Sequence, residues 1–297
     1  MRKNTRIHEI VSDDLSRAGN QLFIKRDDEL DPMISGNKLY KLDQNLRQAV
    51  VEGKRTIVTV GGAFSNHIAA TAKACKQEGL ASIGIIRGER TSGLNPTLRF
   101  AESQGMKLEF RSRSAFRSSR QQGFQDFSTA FPDAYFIPEG GANQLGVEGA
   151  TAMYSEECRA FDVLCVAMGT GTTFAGILKA LQPGQQLIGF PVLKNDHILD
   201  EISPFLSPED LTKRHEINTD YHFGGYAKWN ETLISFLREF WIQHSIKLDP
   251  IYTGKLLYGV SELVALKKLE GKRILCFHTG GIQGVSGFEE RFGIKIF

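Results

Sequence analysis

Three apolar, β-rich runs in this chain each stop at a glycine-containing loop, and that phasing limits the possible folds more than any other feature. Thr56-Ile57-Val58-Thr59-Val60 stops at Gly61-Gly62-Ala63-Phe64-Ser65-Asn66-His67. Val163-Leu164-Cys165-Val166-Ala167-Met168 stops at Gly169-Thr170-Gly171-Thr172-Thr173, and Arg273-Ile274-Leu275-Cys276-Phe277-His278 at Thr279-Gly280-Gly281. Short apolar runs bounded by glycine read as buried strands. Further strands are expected at Leu22 to Asp28, Ala81 to Arg87, Lys107 to Phe110, Tyr135 to Pro138 and Leu187 to Val192. Between them lie helical patterns at Asn66 to Leu80, Pro96 to Gly105, Gly146 to Ala160, Phe174 to Leu181, Trp229 to His244 and Lys255 to Leu269. Strand, turn, helix and strand in succession argue for an α/β fold of parallel βαβ units with right-handed crossovers. Residues 194–221 are polar, show no period and carry no assignment. In an open α/β sheet ligands bind beyond the carboxyl ends of the strands, where all three loops fall.

A second feature is Ser35-Gly36-Asn37-Lys38-Leu39-Tyr40-Lys41-Leu42, a lysine just past a glycine turn at the start of an apolar-periodic helix. Ser35 and Asn37 are candidate caps, and Gly36 permits close approach of backbone to a ligand. Partial desolvation and nearby cations would lower the pKa of Lys38, and a neutral amine forms a Schiff base with an aldehyde cofactor. From the octapeptide alone, Lys38 and Lys41 read more simply as a solvated helix face. The glycine-rich loops downstream shift the balance toward a reactive Lys38.

Each loop has two readings. The Gly169 to Thr173 loop precedes a helix, so its N–H groups and hydroxyls can hold a phosphate, or it is only a close-packed turn. A Walker loop is excluded because no Gly-Lys-Ser/Thr follows, and the dinucleotide fingerprint lacks its third glycine. Ser65 and Asn66 can be helix caps, or can offer Ser65 Oγ and free N–H groups to a substrate carboxylate. His67 alone reads as structural or surface, and His278 is given no role. Tyr226 and Tyr252 are aromatic staples or phenols aimed into a cleft.

With 36 Lys+Arg against 34 Asp+Glu in 297 residues, the formal net charge of +2 gives no argument for nucleic acid or membrane. The basic run from Arg111 to Arg120 is short and serine-diluted, and reads as a solvated segment. Cys75, Cys158, Cys165 and Cys276 form no CxxC pair and share no spacing with histidines, so no metal site is expected. Cys165 and Cys276 read as buried small hydrophobes. Met1 to Asn4 leads into no apolar targeting segment, and a reducing cytoplasm is expected.

Taken together and in order, these stretches resemble the pyridoxal-phosphate enzymes of the tryptophan synthase β-subunit type, fold type II. More narrowly, the chain resembles the group holding 1-aminocyclopropane-1-carboxylate deaminase and D-cysteine desulfhydrase. Gly36-Asn37-Lys38, Ser65-Asn66-His67, Gly140-Gly141-Ala142-Asn143, Leu248-Asp249-Pro250-Ile251-Tyr252 and His278-Thr279-Gly280-Gly281 carry the resemblance, which runs from about Leu22 to the C-terminus. It implies two open twisted α/β domains with mainly parallel sheets. Residues 1–43 plus 144–297 would form the large domain and 44–143 a smaller inserted one, with pyridoxal 5'-phosphate in the cleft between them. It implies that Lys38 holds the cofactor and shuttles the α-proton, that Asn66 bonds the phenolic oxygen, and that Gly169, Thr170, Gly171, Thr172 and Thr173 hold the phosphate. Thr279 would face the pyridine nitrogen, with Thr253 counted in the cofactor set. Ser65, Asn66 and His67 would bind the substrate, and Tyr226 and Tyr252 would be the phenols near the leaving group.

Two departures matter: Thr253 chooses within the group, and Phe64 reshapes the pocket and opens the non-catalytic alternative. Thr253 stands where the cyclopropane-opening enzymes carry glutamate, which resembles the desulfhydrase side. Phe64 precedes Ser65, and Ile68-Ala69 follows His67, where the group commonly reads glutamine and threonine-arginine. The expected function is therefore β-elimination from a small amino acid such as D-cysteine, giving pyruvate, ammonia and sulfide. Cyclopropane ring opening, and a non-catalytic pyridoxal-phosphate-binding protein, are the alternatives. Members of the group are commonly homodimers.

Overall fold

Placed side by side, the glycine-stopped runs form the centres of two sheets in the computed structural model, which describes residues 5–12, 15, 19–31, 34, 36–90, 93–195 and 197–297. Its strands are β1 (Ile7–Ile10), β2 (Gln21–Lys25), β3 (Thr56–Gly62), β4 (Ala81–Arg87), β5 (Lys107–Arg111), β6 (Ala134–Ile137), β7 (Val163–Met168), β8 (Gln186–Pro191), β9 (His215–Ile217) and β10 (Arg273–Phe277). The larger sheet has the order β1-β2-β10-β7-β8-β9 and is parallel except for the β1 edge, which pairs antiparallel with β2. The smaller sheet, β5-β4-β3-β6, is parallel throughout and comes entirely from residues 56–137. The fold is mixed α/β with mostly parallel sheets, of fold type II.

The β7 run is apolar at every position because both its faces are covered. Leu164, Val166 and Met168 join Leu275 and Phe277 on one face, while Val163, Cys165 and Ala167 join Ile274 and Cys276 on the other. The last strand, β10, inserts between β2 and β7, so the Thr279 loop emerges beside the Gly169 loop. In the smaller sheet the ends of β3, β4 and β6 likewise share one edge, since all run the same way.

Some expected elements change. The helix expected at Gly146 to Ala160 runs only from Gln144 to Thr151, because Ser155 is extended (φ −85°, ψ 171°) before a short 3-10 turn at Glu156–Ala160. The stretch without a period holds two five-residue helices and the three-residue β9, too short for any periodicity to register. The arginine run is a helix, Arg113–Gln121, and a C-terminal helix spans Val285–Phe292. The expected Ser35 cap lies outside the described residues.

Candidate active site

The carboxyl-terminal edges of the two sheets line one open cleft of about 990 Å³. Lys38 enters it from the first turn of the helix Asn37–Val51. That helix starts at Gly36, whose backbone (φ 63°, ψ −136°) is closed to L-residues. A β-carbon there would collide with the Thr279 carbonyl and lie 2.7 Å from Gly280 N, so glycine lets the Lys38 turn rest directly on the Thr279 loop. Asn37 does not cap the helix, as the sequence had suggested. Its amide instead donates to Thr173 Oγ1 at 2.8 Å, which ties the Lys38 turn to the Gly169 loop.

Burial depresses the Lys38 ammonium to a pKa of about 8. Lys41, one turn on, is 2% exposed and also lines the cleft, with its pKa pushed well down by burial and by Lys38. The solvated-face reading therefore fails for both lysines, since they point inward. His67 is buried as well. Thr59 donates its hydroxyl proton to Ile137 O at 2.8 Å, so at 2.9 Å it accepts from His67 Nε2–H. His67 Nδ1 then carries a lone pair and has no partner among the described residues. Burial, Lys38 and Lys41 together hold the imidazole neutral.

The Gly169 loop leads into the helix Thr172–Ala180, with Gly169, Thr170, Gly171 and Thr173 lining the cleft. Thr172 is fully buried, its hydroxyl bonds Thr170 at 2.8 Å, and it is not among the residues lining the cleft. The absence of a side chain on Gly169 admits the Tyr252 ring, whose Cε1 lies 3.2 Å from the position of a β-carbon there.

Asp249 fixes that tyrosine. Its Oδ2 accepts from Ile251 N and Tyr252 N at 2.9 Å each, and its Oδ1 from Thr253 N at 2.8 Å and Thr253 Oγ1 at 2.7 Å. Thr253, expected in the cofactor set, is fully buried, bonded to Asp249, and is not among the residues lining the cleft. Tyr226 meets Tyr252 edge to face with ring centres 6.2 Å apart. Burial raises the pKa of both phenols, so both hydroxyls keep their protons at neutral pH. The Tyr226 loop is strained, with positive φ at Phe223, Gly224, Gly225 and Ala227. Lys255, 1% exposed, holds it by donating to His222 O and Gly225 O at 2.8 Å each.

Ser65 is the N-cap of the helix Asn66–Gln77 and accepts from Ile68 N at 3.4 Å, which leaves its hydroxyl proton available to the cleft. Asn66 lies between the loops, its amide atoms 3.0 to 3.3 Å from β-carbon positions on Gly284 and Gly281. Thr279 lines the cleft and is 8% exposed. His278 accepts from Gly280 N and donates to Lys247 O, so it shapes the Thr279 turn. The sequence reading gave Lys41, Asp249 and Lys255 no role in the site. Of these, only Asp249 had a local signal, as the acidic residue three before Tyr252 at a helix start.

The family model for pyridoxal-phosphate dependent enzymes matches residues 3–280. Among curated proteins, a putative 1-aminocyclopropane-1-carboxylate deaminase of Pyrococcus horikoshii is 31% identical over 293 residues, covering 92% of this chain and 88% of that protein. A bifunctional D-cysteine desulfhydrase/1-aminocyclopropane-1-carboxylate deaminase of Arabidopsis thaliana is 30% identical, covering 90% of this chain and 74% of that protein. A crystal structure of an ACC deaminase homologue superposes with a TM-score of 0.84 at 28% identity, covering 97% of this chain and 93% of that one. With the buried lysine, the helix-start loop and the paired phenols on one cleft, the chain belongs to the family of pyridoxal-phosphate dependent enzymes.

Proposed function

We propose that this cleft carries out β-elimination on D-cysteine or a related β-substituted amino acid, giving pyruvate, ammonia and the released substituent. The donor set fits the cofactor. Lys38 is an amine that loses its proton near pH 8, and the Gly169 loop with neighbouring Lys41 suits a phosphate at a helix start. Pyridoxal phosphate supplies, when bound, a carbonyl that captures amines and a conjugated ring that accepts charge developing at Cα. Lys38 is the residue that would hold the cofactor's carbonyl, and its Nζ, once released, would take the α-proton. Ser65 Oγ–H and the N–H groups at the start of its helix orient the substrate carboxylate, and Tyr226 O–H protonates the leaving group. Neutral His67 keeps a third positive charge away from the two lysines. In this reading residues 44–143, which supply the smaller sheet, form the inserted unit, and its closure excludes water.

One observation favours elimination over ring opening: among the described residues, no free carboxylate stands beside the phenols. Of the two acidic residues lining the cleft, Glu139 pairs with Arg120 at 2.6 Å and Asp249 is spent on its four donors. Thr253 is buried behind them. The test is the absorbance of the purified protein and of Lys38→Ala, with pyruvate and 2-oxobutanoate measured after adding D-cysteine, L-cysteine and 1-aminocyclopropane-1-carboxylate. A near-visible band lost in the variant, with pyruvate from a cysteine, is expected. Formation of 2-oxobutanoate alone would reject elimination.

A further inference from the structure

The cleft has a wall that the elimination chemistry leaves unused. Arg113, Arg117 and Arg120 fall at i, i+4 and i+7 of the helix Arg113–Gln121, hence on one face, and all three line the cleft. Arg87, the last residue of β4, joins them. It is the register partner of Gly62, and its Nη2 lies 3.5 Å from the position of a β-carbon on Gly62, at the root of the Ser65 loop. Its guanidinium also sits 5.9 Å from the ring of Phe116 on the arginine helix, and its charge acts on the Tyr226 hydroxyl across the cleft.

Pairing separates this wall from its surroundings. Just outside the cleft, Arg90 is paired with Glu102 at 3.5 Å and Arg111 with Glu109 at 3.8 Å. Inside it, Arg120 has Glu139, while among the described residues no carboxylate reaches Arg87, Arg113 or Arg117. The whole chain carries a formal charge of only +2, yet eight lysines and arginines line the cleft against two carboxylates. Like charges gathered on one wall of the cleft repel one another even where they are solvent-exposed, and an anion relieves that repulsion. Guanidinium groups bind oxyanions through two parallel hydrogen bonds, a geometry a neutral thiol cannot use.

We propose that the substrate is an amino acid carrying a second anionic group on its β-carbon, an oxyanion held by Arg87, Arg113 and Arg117 while Ser65 takes the α-carboxylate. The inference rests on the elimination reading and names its substrate class. With O-phosphoserine as probe, the α-proton leaves Cα, the Cβ–O bond breaks, and phosphate departs with the electron pair. Addition of one water to the remaining three-carbon enamine releases pyruvate and ammonia, with no external oxidant or reductant.

The experiment uses the cofactor-loaded full chain with both enantiomers of O-phosphoserine and of O-acetylserine, whose side chain is neutral. Pyruvate is measured for the wild type and for Arg113→Gln/Arg117→Gln. We expect kcat/KM for O-phosphoserine to exceed that for O-acetylserine by ~10-fold or more, as two charge-assisted contacts predict. In the variant that ratio should fall by about the same factor through KM, with the cofactor band unchanged. If the variant does not fold, wild-type turnover of O-phosphoserine should still be inhibited competitively by inorganic phosphate and not by chloride at matched ionic strength. Equal use of both probes, or a preference that survives the substitutions, overturns the proposal while leaving the elimination reading intact. Absence of any cofactor band in the wild type overturns both.

Discussion

Replacing Gly36 with alanine tests whether the Lys38 turn depends on direct backbone contact with the Thr279 loop. Two costs add. The backbone at φ 63°, ψ −136° is closed to L-residues, which contributes ~1–3 kcal/mol. The new methyl would also overlap the Thr279 carbonyl and Gly280 N, atoms of a turn pinned by His278 and unable to rotate away, at ~1–3 kcal/mol more. Gly53 provides the control: its φ is 71°, but nothing lies within 4 Å of a β-carbon there. Gly53→Ala should therefore cost only the left-handed penalty of ~1–2 kcal/mol. Urea unfolding at unchanged m reads both, and the expected gap between the variants is ~1–4 kcal/mol in favour of Gly53→Ala. Gly36→Ala should in addition lose its cofactor absorbance, because Lys38 and Thr279 move apart, while Gly53→Ala keeps it. Equal midpoints for the two variants would refute the contact argument.

Lys255→Met should leave His222 O and Gly225 O with only their backbone donors, Gly225 N and Lys228 N, at ~1–3 kcal/mol of stability for the two lost hydrogen bonds. It should also lower kcat by loosening the Tyr226 loop, while the cofactor band remains; an unchanged kcat would remove Lys255 as a positioning residue. Lys38 yields a pH prediction for the cofactor-free protein. Its pKa falls from 10.5 to about 8 on folding, so the folded form sheds its proton first and stability rises with pH between those values. Lys38→Met should accordingly be more stable than wild type at pH 7, with the advantage shrinking toward pH 10; a pH-independent difference would count against burial as the cause.

The βαβ order, the three glycine-stopped strands and the loops at their carboxyl ends were legible because buried parallel strands must be apolar throughout and must end where the backbone turns sharply. Lys38, Ser65, Asn66, Thr279 and the Gly169 loop were legible for the same reason, since each sits at such an end or at a helix start. Lys41 was visible but ambiguous. A lysine three residues after another faces the same way, and only packing shows whether that way is inward. The arginine run was equally ambiguous. Its i, i+4, i+7 spacing was present in the chain, but nothing local shows that this face turns toward the cleft.

Thr253 shows what the sequence could not place. The resemblance put it in the cofactor set, at the position where the cyclopropane-opening enzymes carry glutamate, yet the helix start gives its hydroxyl and its N–H to Asp249. Lys255 gave no local sign, because its two carbonyl partners are 30 and 33 residues away in the chain. The sequence alone determined every strand but the two edge strands β1 and β9, where those strands end, and which reactive side chains stand at those ends, all of which are short-range consequences of polarity and backbone freedom. The tertiary structure decided which ends meet. The insertion of β10 between β2 and β7 brings the Thr279 loop against Gly36, and the opposed edges of the two sheets turn the separate loops into one cleft. Such long-range contacts follow from burying apolar faces against one another, and no local pattern encodes them.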